Sequence, residues 1–484
     1  MGAGWPFGLA EITDRIYRYL PAWAQGLAVS AYGILYRHER LGGRFRDYVR
    51  EFRERDRCSP AEMETYLTGR LRGVLLKAFD EVPYYRQRWR AAGFARGDLA
   101  RLTPTSLPTL PITSKHDLRC APDTFLAAGA RGLHRYCTSG STGTPVTVVC
   151  NSDGHRRFMA ARDVRSFGWA GSSILWPRAM IGGRMVVPGA DSSGPFYRYN
   201  FAERQVYFSA YHITPANAAG YVAGFNRYRP RTLTGYAHSY YFLARLMLAE
   251  GLELRYRPDC LVLSSEKTTA DMKRVIAAAF HARAYEEYGS VENCALATEC
   301  EHGRLHVSPD FGIVEIVDDH GLPVPPGREG RILCTGLLND VQPLIRYEIG
   351  DAASWSDAPC PCGRNQLPVL AAIEGRLEDV VVGPGGREMV RFHGLFIEVP
   401  GVMEGQVIQE SLDLLRVRVV AGSDFGARES GLIERRVQER LGGVRVVVEK
   451  VDQIERTSRG KFRAVISRLD PLQVPAEAPP NGHS

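Results

Sequence analysis

The 484-residue chain has no apolar run long enough to cross a bilayer. Its most apolar stretch, Leu20 to Tyr36, contains Gly26 and Gly33 and is flanked by Arg18 and Arg37. That stretch reads as a helix packed on the main domain in preference to a membrane-surface anchor, and no transmembrane segment is expected. A secretory leader is also missing, so the ten cysteines read as reduced thiols and the protein as cytoplasmic. Charge of one sign is not in large excess: 61 Lys and Arg stand against 54 Asp and Glu, a net +7 spread along the chain. Such a balance argues against a nucleic-acid partner, while a basic pocket still suits a small polyanion. There is no internal repeat, and no Gly-Lys-Ser/Thr ending that would make a Walker phosphate loop.

What is present is enough apolar material, 44% of residues, to bury a large core over two or more domains. Residues 1 to about 57 are rich in Arg and aromatics and read as helical, and 60–95 form a second helical segment. Together they make an N-terminal helical segment over about residues 1–100. From about 105 to 370, apolar strands near 145–149, 259–263 and 330–334 alternate with helical patterns at 239–250 and 271–279. This alternation predicts an α/β body with largely parallel sheets. From 375 a smaller unit follows, with strands near 380–382, 415–420 and 444–448 and a helix at 431–441. The expected domains are 1–374 and 375–470, with 471–484 a Pro-rich disordered tail.

Two distant segments carry the chemistry. Tyr136-Cys-Thr-Ser-Gly-Ser-Thr-Gly-Thr-Pro145 is a loop of small residues whose backbone N–H groups can approach a polyphosphate unobstructed. Glu455-Arg-Thr-Ser-Arg-Gly-Lys-Phe-Arg463 presents a lysine beside a glycine on an exposed tip. Together they point to chemistry on ATP. Between them stand, in order, Tyr288-Gly-Ser-Val-Glu292, Arg346-Tyr-Glu-Ile-Gly-Asp351 and Gly375-Arg-Leu-Glu-Asp379. The ordered series resembles the adenylate-forming superfamily of acyl-CoA synthetases, and most closely its phenylacetate-CoA ligase-like branch, which includes proteins associated with capsular polysaccharide biosynthesis.

The resemblance implies an α/β fold: a large N-terminal adenylate-forming domain with β-sheets flanked by helices, and a small, mobile α+β C-terminal lid. It implies that Thr138, Ser139, Gly140, Ser141, Thr142 and Gly143 hold the phosphates of ATP, with Thr144 where the family usually has lysine. Tyr288 and Gly289 would border adenine, with Glu266 of Ser264-Ser-Glu266 beside them. Glu292, assisted by Thr142, would be the Mg²⁺ ligand, since a hard cation takes carboxylate oxygen. Asp351 would accept from the ribose hydroxyls, Arg376 would make a second nucleotide contact, and Glu378-Asp379 would fall at the interdomain hinge, where Asp is more usual first. Lys461 would steady the charge that develops as a carboxylate attacks the α-phosphorus.

Cys300 and His306, around the turn Glu301-His-Gly303, and the pair Cys360-Pro-Cys362 supply the donor set of a tetrahedral Cys₃His zinc site, with His302 the competing histidine. Similar elements surround a structural Zn²⁺ in this branch of the family. Residues 181–212 and 234–239, rich in Tyr, Phe and Arg, are expected to line an acyl pocket for an aromatic or polar acid. The function expected is an ATP- and Mg²⁺-dependent ligase that joins a small carboxylic acid to an acceptor: CoA, an amine or another nucleophile. An adenylyltransferase stopping at an AMP conjugate, and a catalytically silent binding protein of the same fold, are the alternatives.

Overall fold

Helix formation in the N-terminal quarter follows from apolar spacing and capping. A computed structural model describes residues 16–137, 146–189, 194–374, 380–389, 392, 395, 396, 399–455 and 464–469. Helices α1 (Ala22–Leu41) and α2 (Phe45–Arg55) precede α3 (Pro60–Glu81). In α3, Met63, Leu67, Leu71, Val74, Leu75 and Ala78 are buried, a three- and four-residue spacing that lays one face on the core. Its start is fixed by a capping box: the Glu62 N–H donates to Ser59 Oγ at 3.3 Å, and the Ser59 N–H donates to the Glu62 carboxylate at 2.7 Å. Val82, extended because a proline follows, ends α3, and Pro83 opens α4 (Pro83–Ala91).

A short helix, α5 (Lys115–Cys120), leads to the hairpin of β1 (Leu133–Cys137) and β2 (Thr147–Asn151), after which comes α6 (Ser152–Arg162). The body then builds a twelve-stranded sheet. Its strands are β3 (Arg178–Gly182), β4 (Tyr197–Asn200), β5 (Gln205–Ser209), β6 (Thr232–Tyr236), β7 (Cys260–Ser264), β8 (Ala284–Gly289), β9 (Leu296–Glu299), β10 (Leu305–Val307), β11 (Gly312–Val317), β12 (Gly330–Gly336), β13 (Tyr347–Trp355) and β14 (Val369–Glu374). They lie in the order β11-β12-β13-β14-β10-β9-β8-β7-β6-β3-β5-β4.

Only the stretch from β8 to β5 is parallel; β4 and everything beyond β8 pair antiparallel, which corrects the largely parallel sheet expected from sequence. The physical reason is the connections. Helices α7 (Ala218–Tyr228), α8 (Ala237–Glu250) and α9 (Ala270–Phe280) cross over between β5, β6, β7 and β8. After Gly289 no such helix intervenes, and successive strands return by turns.

Beyond β14 a separate sheet forms in the order β19-β18-β17-β20, from β17 (Val402–Ser411), β18 (Leu414–Ala421), β19 (Arg445–Lys450) and β20 (Val465–Ser467); the hairpin of β15 (Val381–Gly383) and β16 (Arg387–Met389) precedes it. Helix α10 (Ala427–Leu441) buries Ile433, Val437 and Leu441 against this sheet, where Leu415, Val417 and Val419 alternate inward. Tyr211 of the body is buried in the same cluster, with the Arg440 guanidinium 5.7 Å from its ring centre, so the two units share a packed contact.

One buried side chain fixes how β13 enters the sheet. Arg346, in left-handed conformation with φ 44°, donates from Nε to both oxygens of Glu315 at 3.2 Å. Its remaining nitrogens donate to the carbonyls of Pro108, Leu110 and Gly321. A lysine could serve only part of this fan of acceptors. Arg346→Met is therefore expected to lower the unfolding free energy by about 3–5 kcal/mol, because Glu315 and the carbonyls are left buried without a partner. Chemical denaturation checks it; recovery of most of the loss in Arg346→Lys would show that charge, and not the fork geometry, supplies the stability.

Candidate active site and cysteine cluster

The segment after β8 and the start of β13 meet through two crossed hydrogen bonds. Tyr288, near the end of β8, donates from its hydroxyl to Asp351 Oδ2 at 2.9 Å. Tyr347, the first residue of β13, donates from its hydroxyl to Glu292 Oε1 at 3.3 Å. Each motif thus supplies a phenol to the carboxylate of the other. Glu292 is 4% exposed and also accepts from Lys115 Nζ at 3.1 Å. Burial drives its pKa up, but the Lys115 ammonium and the surrounding hydrogen bonds outweigh burial and hold it below the usual carboxylate range. The site therefore keeps a buried carboxylate, already paired with the Lys115 ammonium, and carboxylate oxygen is the kind of hard donor that Mg²⁺ takes.

The elements behind these residues explain their placement. Ser114 caps α5 by accepting from the Asp117 N–H at 3.0 Å, which sets Lys115 in the first turn and turns its side chain toward Glu292. The Thr113 N–H donates to the Arg346 carbonyl at 3.0 Å, its hydroxyl to the Ile345 carbonyl at 2.7 Å, and the Ile345 N–H to the buried Tyr85 hydroxyl at 2.9 Å. Glu266 accepts from the His238 N–H at 2.8 Å, capping the start of α8, which places it beyond the end of β7. Gly289 is exposed at the end of β8.

Thr138, Ser139, Gly140, Ser141, Thr142, Gly143, Arg376 and Lys461 lie outside the described residues, as do Glu378 and Asp379. The hairpin around the first group is described, with Cys137 opposite Thr147. Within the region expected to line an acyl pocket, Tyr207, Tyr211, His212 and Tyr236 are buried. His212 bonds Ser209 Oγ at 2.7 Å and the Gly189 carbonyl at 2.6 Å, as a satisfied core histidine does.

The four residues expected around a metal converge. One ligand atom from each of Cys300, His306, Cys360 and Cys362 lies within 4.8 Å of the others. Cys300 Sγ is 3.6 Å from Cys360 Sγ, and Cys362 Sγ is 3.3 Å from His306 Nε2. A tetrahedral site with Zn–S near 2.3 Å and Zn–N near 2.0 Å has ligand–ligand edges of roughly 3.5–3.8 Å, so the spacing fits zinc. His306 Nδ1 bonds the Leu367 carbonyl at 2.9 Å, which leaves Nε2 as the donor toward the sulfurs. His302 is exposed and outside the group, which removes it as the competing ligand. Trp169 stands edge-on to the His306 ring at 5.9 Å and carries the Arg364 guanidinium 4.4 Å from its own ring centre.

The sequence does not mark Lys115 or Tyr347 as site residues. Tyr347 stands inside the motif Arg346 to Asp351 without an assigned task, and Lys115 follows an ordinary cap serine. Nothing local distinguishes either, because their partner is a carboxylate far away in the chain.

The CapK C-terminal domain model matches residues 387–468. Protein CapK of Staphylococcus aureus is 26% identical over 477 residues, covering 94% of this chain and 99% of that protein. The phenylacetate-coenzyme A ligase of Thermus thermophilus is 25% identical, over 82% of this chain and 94% of that one. Among solved structures, 2-hydroxyisobutyryl-CoA ligase in complex with 2-HIB-AMP and CoA in the thioesterification state superposes with a TM-score of 0.58 at 24% identity, covering 86% of this chain and 92% of that one. The chain is thus similar in sequence, over nearly its whole length, to protein CapK and to phenylacetate-CoA ligases, and similar in fold to 2-hydroxyisobutyryl-CoA ligase.

Proposed function

We propose that this protein is an AMP-forming acid ligase: it activates a small carboxylic acid with ATP to an acyl adenylate and passes the acyl group to an acceptor, CoA first among the candidates. The observation that carries the reading is the crossed pairing of Tyr288 with Asp351 and Tyr347 with Glu292. It unites two carboxylates suited to different parts of one nucleotide. The kinship with acyl-CoA ligases supplies the reaction class.

In this reading Glu292, with Thr142, would hold Mg²⁺, which would supply charge neutralisation to the phosphates. Asp351 accepts from the ribose hydroxyls, oriented for it by Tyr288. The loop 138–143 donates N–H and O–H groups to phosphate oxygens, Gly289 and Glu266 border the base, and Arg376 makes a second nucleotide contact. Lys461 comes from the unit 375–470, which we take to rotate as a lid against the body 1–374, so that the labile adenylate is formed away from water. A structural Zn²⁺ on Cys300, His306, Cys360 and Cys362 would clamp the β9–β10 hairpin to the β13–β14 connection. We place the reaction in the cytoplasm, where ATP and CoA are available.

Lys461→Ala is expected to cut pyrophosphate release with a productive acid by about 10²-fold or more without lowering the melting temperature, since one charge-stabilising group is lost from the transition state. Wild-type release by this variant would overturn the mechanism. Glu292→Gln should raise the Mg²⁺ concentration needed for half-maximal activity, because an amide is a poorer ligand for a hard cation; an unchanged Mg²⁺ profile would remove Glu292 from that role. Protein purified without chelator should hold about one zinc per chain, and a Cys360→Ser/Cys362→Ser variant should lose it and melt at a lower temperature. Undiminished zinc in that variant would leave these cysteines as plain buried thiols.

A further inference from the structure

Most surface helices turn charge outward, and α1 does the opposite. Its first fifteen residues, Ala22 to Tyr36, contain no charged side chain. Its inward face carries Gln25, Gly33, Tyr36 and Arg40, all buried. Its outward face carries Trp23 at 71% exposure, Leu27 at 63% and Ile34 at 65%, with Leu35 at 66% beside them. Phe201 at 77% extends the same apolar surface. Leu27, Ile34, Leu41 and Phe201 line a shallow groove of about 600 Å³. A contiguous apolar face of this kind on a folded protein marks a surface that something else covers.

The helix cannot roll to hide that face. Ser30 Oγ donates to the Tyr199 carbonyl at 3.2 Å and accepts from the Phe201 N–H at 3.1 Å. Gln25 Oε1 accepts from Arg198 Nε at 2.7 Å, and Arg40 pairs with the buried Glu203. At Gly33 an added Cβ would lie 2.2 Å from the Asn200 side chain, so the helix is seated directly against β4. It covers the sheet's terminal strand with its polar side and leaves its apolar side outside.

What the face meets is indicated by the charge that follows it. Residues 37–57 hold eight arginines against Glu39, Asp47, Glu51, Glu54 and Asp56, a net of +3. Arg37, Arg44, Arg46, Arg50, Arg53 and Arg57 are exposed, and the last four line a second groove with Phe45 and Val49. A second copy docked here would set one arginine row against another. An anionic lipid surface neutralises the row while its interfacial region accepts Trp, Tyr and leucine side chains. Among the described residues no helix is long and apolar enough to cross a membrane, so the geometry is that of a helix lying in the interface. We propose that the outer face of α1, with the arginines of α2, docks this protein on an anionic membrane surface.

The inference is independent of the ligase reading, because it is tested without substrate. Purified full-length protein is floated with vesicles of phosphatidylcholine alone and of phosphatidylcholine mixed with phosphatidylglycerol. Binding is expected to the mixed vesicles and to fall as salt is raised. Trp23→Ser/Leu27→Ser/Ile34→Ser should reduce the bound fraction on the order of tenfold with an unchanged melting temperature, since the mutated groups touch no core. Arg44→Glu/Arg46→Glu should weaken binding to the mixed vesicles alone. No binding by the wild type, or equal binding by the wild type and both variants, overturns the proposal. So does a wild-type dimer in light scattering that the triple serine variant dissolves, because a second copy then covers the face.

Discussion

The arrangement of the candidate site depends on one buried cation. Arg346 gathers a carboxylate and three backbone carbonyls from segments that have no other reason to meet: the loop before α5, strand β11 and the turn at Gly321. A guanidinium taken out of water is costly unless nearly all of its N–H groups find acceptors, and here they do. The strained left-handed backbone at Arg346 is held by the same contacts. From that fixed point β13 begins, with Tyr347 directed at Glu292 and Asp351 four residues further on.

The cysteine cluster acts at the other end of the same strands. β9 pairs with β8 and β14 pairs with β13, while Cys300 follows β9 and Cys360 and Cys362 lie between β13 and β14. A metal held by these turns would tie together the strand that carries Tyr288 and the strand that carries Asp351, at the end of those strands away from the candidate nucleotide site. Four ligands without an open position suit a structural role, and the Leu367 carbonyl on His306 fixes the imidazole tautomer. Arg346 thus fixes the start of β13 at one end, and the cluster gathers the turns at the other.

Packing also separates what resembles a site from what is one. In the aromatic-rich stretch near residue 211, Tyr211 is core shared with the C-terminal unit and His212 is satisfied at both ring nitrogens. Helix α1 gives the reverse lesson. Its apolar sequence predicts a helix packed on the body, and it is packed, through Gln25, Gly33, Tyr36, Arg40 and Val29. Trp23, Leu27, Ile34 and Leu35 point outward.

By itself the sequence determined the identity and order of the motifs, several of the helices and strands, and the four cysteine-cluster residues. These rest on local chemistry: apolar spacing, a capping box at Ser59 and Glu62, a Cys-x-Cys turn. Tertiary structure alone decided that most of the sheet is antiparallel, because strand direction depends on whether a helix fits between strands. It alone paired Lys115 and Tyr347 with Glu292, and Tyr288 with Asp351. Such pairs join residues distant in the chain, and the energy that selects them comes from burial, which no local stretch of sequence records.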